Sequence, residues 1–574
     1  MLFGRRLSPV RLIIYTFLIG VTVTFFSSLS SIPVPESAAA SLEKIQNKGK
    51  EIFGPHLEGW VGPGAHRAPE PTNGTASTSS WYEHWSWLNP FASSQDYSEN
   101  RTILPPLPKR CPIYAYYDQD IKSSVQTHTD DAVMLAWRRA WWAAGFEPII
   151  LNPTDAKRHG LYNKVKLQLG KDNDKLEYNI LRWLAWDRMG SGLLSDFRIF
   201  PMPVPSDPVL PFLRRCEFGM SITRFQTLGS GLFAGSSPII KSVVTNITSS
   251  DLAKVGNNVT SPADMATDLF TVDDKPKSIA YYARNTVAEK YRNLPAGNLP
   301  RLINAHLHAH FLSLYPKGIS ILNPIHPNSD VLTHESYELA QKLVVCPESP
   351  FPVSCPPHVE DGRCQLCDGK TKIQLTKDYK NTTDVFTLGY APHPLTLQAF
   401  VSGAVVRDLK SIRRNSTRDM FLKSVTNEIA EKGTGAGYRG VKMKEVVAAS
   451  LSSTLDRKPV TGFTDSIWAT VEKGWDAKGV EWVLGFTLPD KISPLPVMNQ
   501  EKGVVDLHTR ILSDSRVAVL AGTTGLKRFR AAIEGWSLRD FEFWRFVKAF
   551  EERRATEREE WLKREKGFGK GLER

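Results

Sequence analysis

The chain has 574 residues and a net charge of +12, and it is 41% hydrophobic and 10% aromatic. This length exceeds one ordinary core, and this composition excludes a wholly disordered or collagen-like chain. The mean hydropathy of −0.27 excludes a polytopic membrane protein. Lys and Arg are spread along the chain without a block of one sign, so a nucleic-acid partner is not expected.

The first 29 residues predict a single membrane anchor. Residues 1–11 form a basic cytoplasmic tail, and residues 12–29 (LIIYTFLIGVTVTFFSSL) contain no charged side chain. A helix of this length is just long enough to cross a bilayer as a transmembrane signal anchor. The positive charges before it predict a type II single-pass protein with a luminal C-terminal body. A signal peptide cleaved near residues 38–40 is the alternative.

Cysteines and glycosylation sequons agree with a luminal body. Six cysteines are an even number, and an oxidising lumen favours disulfides over free thiols. The disulfide candidates, whose pairing the sequence leaves open, are Cys111, Cys216, Cys346, Cys355, Cys364 and Cys367. The glycosylation candidates, each an N-x-S/T sequon, are Asn73, Asn100, Asn246, Asn258, Asn381 and Asn415.

The chain divides by composition into a stem, a large domain and a tail. Residues 30–108 are rich in Pro, Ser, Gly and Thr, which is typical of a flexible luminal stem. Residues 109–550 carry the periodic segments of a globular domain. Residues 551–574 alternate in charge and predict a solvated helical tail.

The globular domain opens with a strand, a helix and a second strand. Residues 112–117 (PIYAYY) and 148–151 (PIIL) are short apolar runs, and between them a helix is expected from Thr129 to Gly145. This order predicts a parallel α/β layer. Further helices are expected over 175–189, 300–314 and 466–473, and strands over 193–200, 219–225, 232–234 and 482–487. A last helix is expected to begin at Ser537, with Asp540 in a capping-box-like position.

The segment with the strongest chemical signal follows the helix over 175–189. A glycine turn leads into a strand carrying Asp196 and Arg198, and residues two apart on a strand share a face. The carboxylate can bind a ribose hydroxyl or a metal, and the guanidinium can bind a diphosphate with two hydrogen bonds. A local Asp–Arg pair without a ligand is the alternative.

Residues 182–202 (RWLAWDRMGSGLLSDFRIFPM) resemble the sugar-nucleotide segment of GT-A glycosyltransferases, especially the DxD-containing group that includes Golgi α-mannosyltransferases. That group has an Arg on a helix, a small-Gly turn and an apolar-x-Ser-Asp-x-Asp strand. Arg182, Ser191-Gly192 and Leu194-Ser195-Asp196 match this pattern. The resemblance implies an α/β, GT-A-like mixed sheet flanked by helices. It also implies sugar transfer from a nucleotide sugar to a glycan or glycoprotein acceptor in the Golgi or endoplasmic reticulum.

The sequence departs from this family at the position of the last Asp. Family members use that Asp to bind Mn²⁺, whereas this chain has Arg198, which offers no oxygen ligand and repels a cation. A need for Mn²⁺ or Mg²⁺ therefore stays open. Either Arg198 neutralises the leaving diphosphate without a metal, or the chain keeps the fold as a non-catalytic luminal partner of other transferases.

A second acidic pair, Asp118 and Asp120, directly follows the first predicted strand. Ligands of α/β proteins bind beside the carboxyl ends of parallel strands, so these side chains are further candidates for nucleotide-sugar binding. A solvated turn is the alternative. No catalytic residue is assigned, although Asp465, Asp506 and His393 in turn-like segments are candidate bases.

Three other motifs carry less weight. His306, His308 and His310 lie on one predicted helix, where packed histidines are favoured over the metal site of a luminal metallohydrolase. The G-x-G-x-x-G motif at residues 435–440 follows a helix and not a strand, so it fails the context of a dinucleotide site. The four cysteines between residues 346 and 367 fit two disulfides better than a zinc site in an oxidising lumen.

Overall fold

The described part of the chain lies within one compact unit, Ala65–Arg574. The computed structural model describes residues 66, 104–105, 109–118, 124–169, 174–250, 252, 261–265, 269–273, 276–295, 297–324, 333–403, 409–412, 419–449, 465–490, 502–520 and 522–565. The expected anchor over 12–29 falls outside these residues. Within the part that is described, no helix is long and apolar enough to cross a membrane.

The described residues form an α/β fold. Its strands are β1 (Cys111–Tyr116), β2 (Phe146–Leu151), β3 (Gly192–Ser195), β4 (Ile199–Pro201), β5 (Ile222–Phe225), β6 (Leu232–Gly235), β7 (Phe270–Asp273), β8 (Ile279–Tyr281), β9 (Gly318–Leu322), β10 (Ile373–Thr376), β11 (Val385–Ala391) and β12 (Ser466–Thr470).

Helices connect and cover these strands. They are α1 (Ser124–Ala143), α2 (Pro153–Lys157), α3 (Tyr162–Gln168), α4 (Asp174–Met189), α5 (Val209–Arg215), α6 (Ser237–Ser249), α7 (Arg284–Lys290), α8 (Leu299–Leu314), α9 (His334–Val344), α10 (Pro394–Ser402), α11 (Met420–Val425), α12 (Ala436–Ala449), α13 (Ala477–Leu484), α14 (Lys502–Leu520), α15 (Thr524–Trp536) and α16 (Leu538–Glu565).

The first sheet is mixed, with the strand order β2-β1-β3-β6-β5-β7. Strand β1 is parallel to both β2 and β3, whereas β6 is antiparallel to β3 and β5. Alternate side chains of β1 enter different cores: Ile113 packs in the cluster that contains α1, and Tyr114 packs in the cluster that contains α4 and α6. This confirms the expected mixed sheet flanked by helices.

The second sheet is wholly parallel, with the strand order β10-β9-β11-β12. One hydrophobic cluster joins it to the first sheet, because Ile113 of β1 and Ile319 of β9 belong to the same core, along with side chains of α1 and α8. Helices α12 and α16 cover its other face. Sequence analysis missed this sheet, and it assigned β12 to a helix and part of α13 to a strand; both assignments are wrong.

Three disulfides stabilise the fold: Cys111–Cys216, Cys346–Cys367 and Cys355–Cys364. The expectation of disulfides is confirmed. The first bond joins the start of β1 to the residue after α5, and the other two are nested in one loop. These bonds are consistent with a secreted or luminal protein. Of the sequons, Asn246 and Asn381 are exposed, and the other four lie outside the described residues.

Helix α16 spans both sheets, and its last turns are packed, not solvated as the tail was expected to be. Trp561 is buried, stacks on Trp142 of α1 and donates from Nε1 to the carbonyl of Pro148. Glu565 accepts from the backbone N–H of Ile150 and pairs with His66. The end of α16 therefore covers the outer edge of β2, which would otherwise expose unpaired backbone groups.

Candidate functional site

The expected acidic residues meet at one edge of the first sheet. Asp118 lies two residues after β1 and Asp196 directly follows β3, and these strands are parallel neighbours with Ala115 opposite Ser195. The chain proceeds from β1 to β2 on one side and to β3 on the other, so this edge is a topological switch point, where open α/β sheets bind ligands. Asp120 lies outside the described residues.

Asp196 lies in a turn and not on a strand. The single strand expected over 193–200 is wrong, because β3 ends at Ser195 and β4 pairs with β8 in a separate two-stranded ribbon. The Asp196 carboxylate accepts from the backbone N–H of Arg198 at 2.9 Å, and its backbone carbonyl accepts from Ile199 at 3.1 Å. The two candidate side chains therefore do not share a strand face, and the carboxylate stabilises its own turn.

Arg198 forms an ion pair with a buried carboxylate that sequence analysis did not select. Its Nη2 lies 3.1 Å from Oδ1 of Asp130, which is 1% exposed, while Arg198 itself is 13% exposed. Asp130 belongs to α1, where the adjacent Asp131 gave the sequence no signal to distinguish the two acids. The ion pair fixes the orientation of the guanidinium beside the edge.

Arg182 holds the loop against which Asp196 packs. It is 6% exposed and donates from Nη1 to the carbonyl of Ser230 at 2.9 Å and from Nη2 to that of Gly231 at 3.4 Å. The same Gly231 carbonyl accepts from the backbone N–H of Asp196 at 2.7 Å. Arg182 therefore positions the acidic turn through a shared acceptor.

Two tyrosines complete the edge. The hydroxyl of Tyr281 donates to Oδ2 of Asp196 at 3.2 Å, and that of Tyr178 donates to the carbonyl of Tyr116 at 2.8 Å. Burial raises the pKa of both phenols, and the Asp196 carboxylate raises each further. Both hydroxyls therefore keep their protons and act as donors near neutral pH.

Two glycines let β3 approach β1. Gly190 and Gly192 have φ values of +93° and +147°, which favour glycine. A Cβ on Gly192 would lie 2.7 Å from the carbonyl oxygen of Pro112, closer than the backbone permits. The glycine turn expected from the sequence is thus required for the β1–β3 pairing that brings Asp118 and Asp196 to one edge.

The described carboxylates at this edge do not suit the binding of a divalent cation. Asp196 accepts from Tyr281 and Arg198, and Asp130 pairs with Arg198. Within the described residues there is no group of three or more His, Cys, Asp or Glu side chains that could hold a metal ion. We therefore derive no step through Mn²⁺ or Mg²⁺ from these residues.

The histidines of α8 are packed side chains. Burial lowers the pKa of His306 and of His308 to about 4 in each case. His306 bonds Tyr282 and Ser354, and His308 donates to the carbonyl of Leu343. With no metal-binding group among the described residues, the metallohydrolase interpretation gains no support.

The candidate bases do not lie at the acidic edge. His393 is fully buried and accepts from the backbone N–H of Leu395 at the start of α10. Asp465 precedes β12 and accepts from the hydroxyl of Tyr315, and Asp506 is exposed on α14. The G-x-G-x-x-G motif runs into α12, where the buried Arg439 binds backbone carbonyls. His393 therefore caps a helix, Asp465 and Arg439 bind groups in the packed interior, and Asp506 lies on the surface.

Searches of curated proteins and of solved structures found no match. One family profile, described as a domain of unknown function (DUF8765), matches residues 75–574. Because this match covers most of the chain, including both sheets, the protein belongs to the DUF8765 family.

Proposed function

We propose that this protein transfers a sugar from a nucleotide sugar to a glycan or glycoprotein acceptor. The observation that carries the proposal is the pair of carboxylates, Asp118 and Asp196, at the switch point of the first sheet. Two arginines and two tyrosine hydroxyls lie at the same edge. A ligand that combines hydroxyl groups with a charged phosphate matches this set of acceptors and donors.

The acidic and the basic residues at this edge have different roles in the proposed reaction. Asp118 and Asp196 accept hydrogen bonds from the hydroxyls of the ribose or the sugar. Arg198, which is fixed by Asp130, supplies positive charge where the nucleoside diphosphate leaves. That group gains negative charge as its bond to the sugar breaks, so a preorganised cation lowers the barrier. Arg182 acts as a positioning residue through Gly231.

The proposal includes a location in the secretory pathway. The disulfides fit a lumen, and the uncharged run over 12–29 fits a single-pass type II anchor in the Golgi or endoplasmic reticulum. No catalytic base is assigned.

A transfer assay tests the proposal. The purified chain is incubated with a panel of UDP- and GDP-sugars, with and without Mn²⁺, and nucleotide release is measured. We expect Asp196→Asn to lower turnover about 10- to 100-fold, because a hydrogen bond to a charged group contributes about 1.5–3 kcal/mol. Asn keeps an acceptor for the N–H of Arg198, so the turn should persist. Asp506→Asn, on the exposed face of α14, is the matched control and should leave turnover unchanged.

One observation favours a second candidate function, a non-catalytic luminal partner of other transferases. Asp196 and Arg198 already have partners within the protein, in Tyr281 and Asp130. If the wild-type chain neither releases nucleotide nor binds UDP or GDP under any metal condition, the scaffold interpretation replaces the enzyme. Turnover that requires Mn²⁺ would contradict the role given to Arg198.

A further inference from the structure

A loop closed by two disulfides contacts α8. This disulfide loop, residues 346–367, contains both nested bonds, which hold it together as one unit. Lys290, at the end of α7, donates from Nζ to two carbonyls of the loop, at 2.5 Å and 3.1 Å. The hydroxyl of Tyr291 donates to the carbonyl of Cys355 at 2.6 Å. These hydrogen bonds, together with those of His306, dock the loop on the body of the protein.

His306 of α8 joins the loop to the body through a chain of hydrogen bonds with a fixed direction. The Ser354 hydroxyl donates to the carbonyl of Phe351 at 2.7 Å, so its oxygen accepts from Nε2 of His306 at 3.0 Å. Nδ1 of the neutral ring therefore accepts from the hydroxyl of Tyr282 at 2.8 Å. If His306 bound a second proton, the fully buried Tyr282 would have to accept, and its own proton would lose its acceptor. The chain is therefore complete only while His306 is neutral.

His358, on the disulfide loop, brings a second imidazole to the same region. Its Nδ1 is buried and has no hydrogen-bond partner within the described part of the chain. A proton on His358 would be repelled by the charge of Lys290 and by protons on His306 and His310. His310 lies one turn after His306 on α8 and donates from Nε2 to the carbonyl of Pro203 at 2.8 Å. Three histidines and one lysine therefore lie together where the loop meets the body.

The acids that face this basic cluster already have partners. Asp207, which faces His358, accepts from the backbone N–H groups of Val209 at 3.1 Å and Ser278 at 2.7 Å. Asp361, which faces the other histidines, pairs with Lys290 at 3.3 Å and is 70% exposed. Each proton added to a histidine of the cluster therefore places a further positive charge close to Lys290.

The pH dependence of docking follows from the two histidines that face each other across the contact. Burial lowers the pKa of His306 and of His358 from 6.5 to about 4, and positive neighbours add to this effect. Once the loop lifts, water reaches both rings and each regains its ordinary pKa. Because the docked state has the lower pKa, docking is fully stable above pH 6.5 and weakens as the pH falls towards 4. At pH 5 docking is weaker than at pH 7 by about 20-fold per histidine.

We propose that the disulfide loop is an acid-released latch, which is docked on α8 at neutral pH and lifts reversibly when His306 and His358 bind protons. The two nested disulfides keep the lifted loop intact. The latch does not depend on the proposed transfer activity, because it uses no residue of the acidic edge of the first sheet.

Hydrogen exchange measured by mass spectrometry on the purified chain tests the latch. The disulfides stay intact during labelling and are reduced only in the quench. Protection factors, which correct for the direct effect of pH on amide exchange, are compared at pH 7 and pH 5. We expect the protection of residues 351–364 to fall by about 20-fold or more at pH 5 and to recover on return to pH 7. Strands β1 and β3 should keep their protection at both pH values.

His358→Gln removes one of the two histidines at a position where Nδ1 has no hydrogen bond to lose. The fall in loop protection between pH 7 and pH 5 should become about 20-fold smaller in this variant. His334→Gln is the matched control, because His334 is 52% exposed on α9 and should leave the fall unchanged.

Three results would overturn the proposal. They are equal loop protection at the two pH values, a loss of protection that extends equally to β1 and β3, and a wild-type fall in His358→Gln. None of these bears on Asp196, whose test is nucleotide release.

Discussion

The carboxyl edges of the two sheets share a topology but differ in chemistry. At the first edge, Asp118 and Asp196 follow parallel strands and remain half-buried. At the second edge, polar residues after β11 and β12 form hydrogen bonds within the protein. The Glu472 carboxylate accepts from the backbone of His393, from the hydroxyl of Thr396 and from the indole of Trp544, all within 2.8 Å.

This difference indicates at which edge charged side chains can still bind a ligand. His393 caps α10 through Nδ1, so its Nε2 carries the proton and faces Glu534 at 3.1 Å. Burial alone would raise the pKa of Glu534, but hydrogen bonds from His393 and Arg530 lower it below its ordinary value. A switch point therefore marks a place for a ligand, and the hydrogen bonds already made there decide whether charged groups can reach it.

The largest expected effect comes from the disulfide that joins the start of β1 to the residue after α5. Cys111–Cys216 closes a loop of 105 residues, whereas Cys355–Cys364 closes one of 9. Chain entropy predicts that replacing each pair by Ser lowers the free energy of unfolding by about 4.7 and about 2.6 kcal/mol, respectively. Urea denaturation measures both. Equal losses, or a greater loss from the short loop, would contradict this order.

The second effect concerns the histidine that joins the end of α16 to the first sheet. His66 is 7% exposed and pairs with Asp155 at 2.9 Å and Glu565 at 3.2 Å, and Arg188 also contacts Asp155. Burial alone would lower the pKa of His66, but the two carboxylates offset this and raise it to about 9. Because the folded pKa exceeds the unfolded value of 6.5, the stabilisation is complete below pH 6.5 and is lost through pH 9.

Replacing His66 by Asn should therefore cost about 3 kcal/mol at pH 6.5 and much less at pH 9.5. His334→Asn is the control, because His334 and its partner Glu338 are both about half exposed and the pair contributes little. Urea denaturation at the two pH values measures the difference. A cost that does not change with pH would show that His66 is not charged in the folded protein.

The third effect compares the two indoles by which α16 contacts each sheet. Nε1 of Trp544 donates to the Glu472 carboxylate at 2.7 Å, and that of Trp561 donates to the carbonyl of Pro148 at 3.1 Å. Hydrogen bonds to charged groups contribute about 1.5–3 kcal/mol, and those between neutral groups about 0.5–1.5 kcal/mol. Trp544→Phe should thus destabilise the chain more than Trp561→Phe in thermal unfolding. The reverse order would mean that the Trp142 stack dominates.

Sequence analysis predicted five of the six strands of the first sheet, because most of them have clear boundaries, but it extended β3 too far and missed β7. The apolar run of β1, Gly145 after α1 and the glycines before β3 are local signals in the sequence. The second sheet has weaker local signals in its sequence. Residues 466–470 (SIWAT) are all buried, and a short run that is buried on both faces has no period that separates a strand from a helix.

The candidate site was predicted in part. The sequence placed Asp118 after a strand and Asp196 on one, and their shared edge follows from the parallel pairing of β1 and β3. It could not identify Asp130 or Tyr281, which lie 66 residues before and 85 residues after Asp196, because contacts at such separations depend on the fold. The turn at Asp196 was also missed, since it arises where the chain leaves the first sheet to pair with β8.

The smallest effects give the sharpest comparison, because each variant removes one hydroxyl donor from a carboxylate. Tyr281→Phe deprives Asp196 of its donor at 3.2 Å, and Thr396→Val deprives Glu472 of its donor at 2.8 Å. If only the first edge carries chemistry, Tyr281→Phe should lower nucleotide release about tenfold, since one such bond contributes about 1.4 kcal/mol. Thr396→Val should cost about 1 kcal/mol of stability and leave turnover unchanged. If Thr396→Val loses turnover while Tyr281→Phe stays fully active, the catalytic site lies at the second sheet and not at the first.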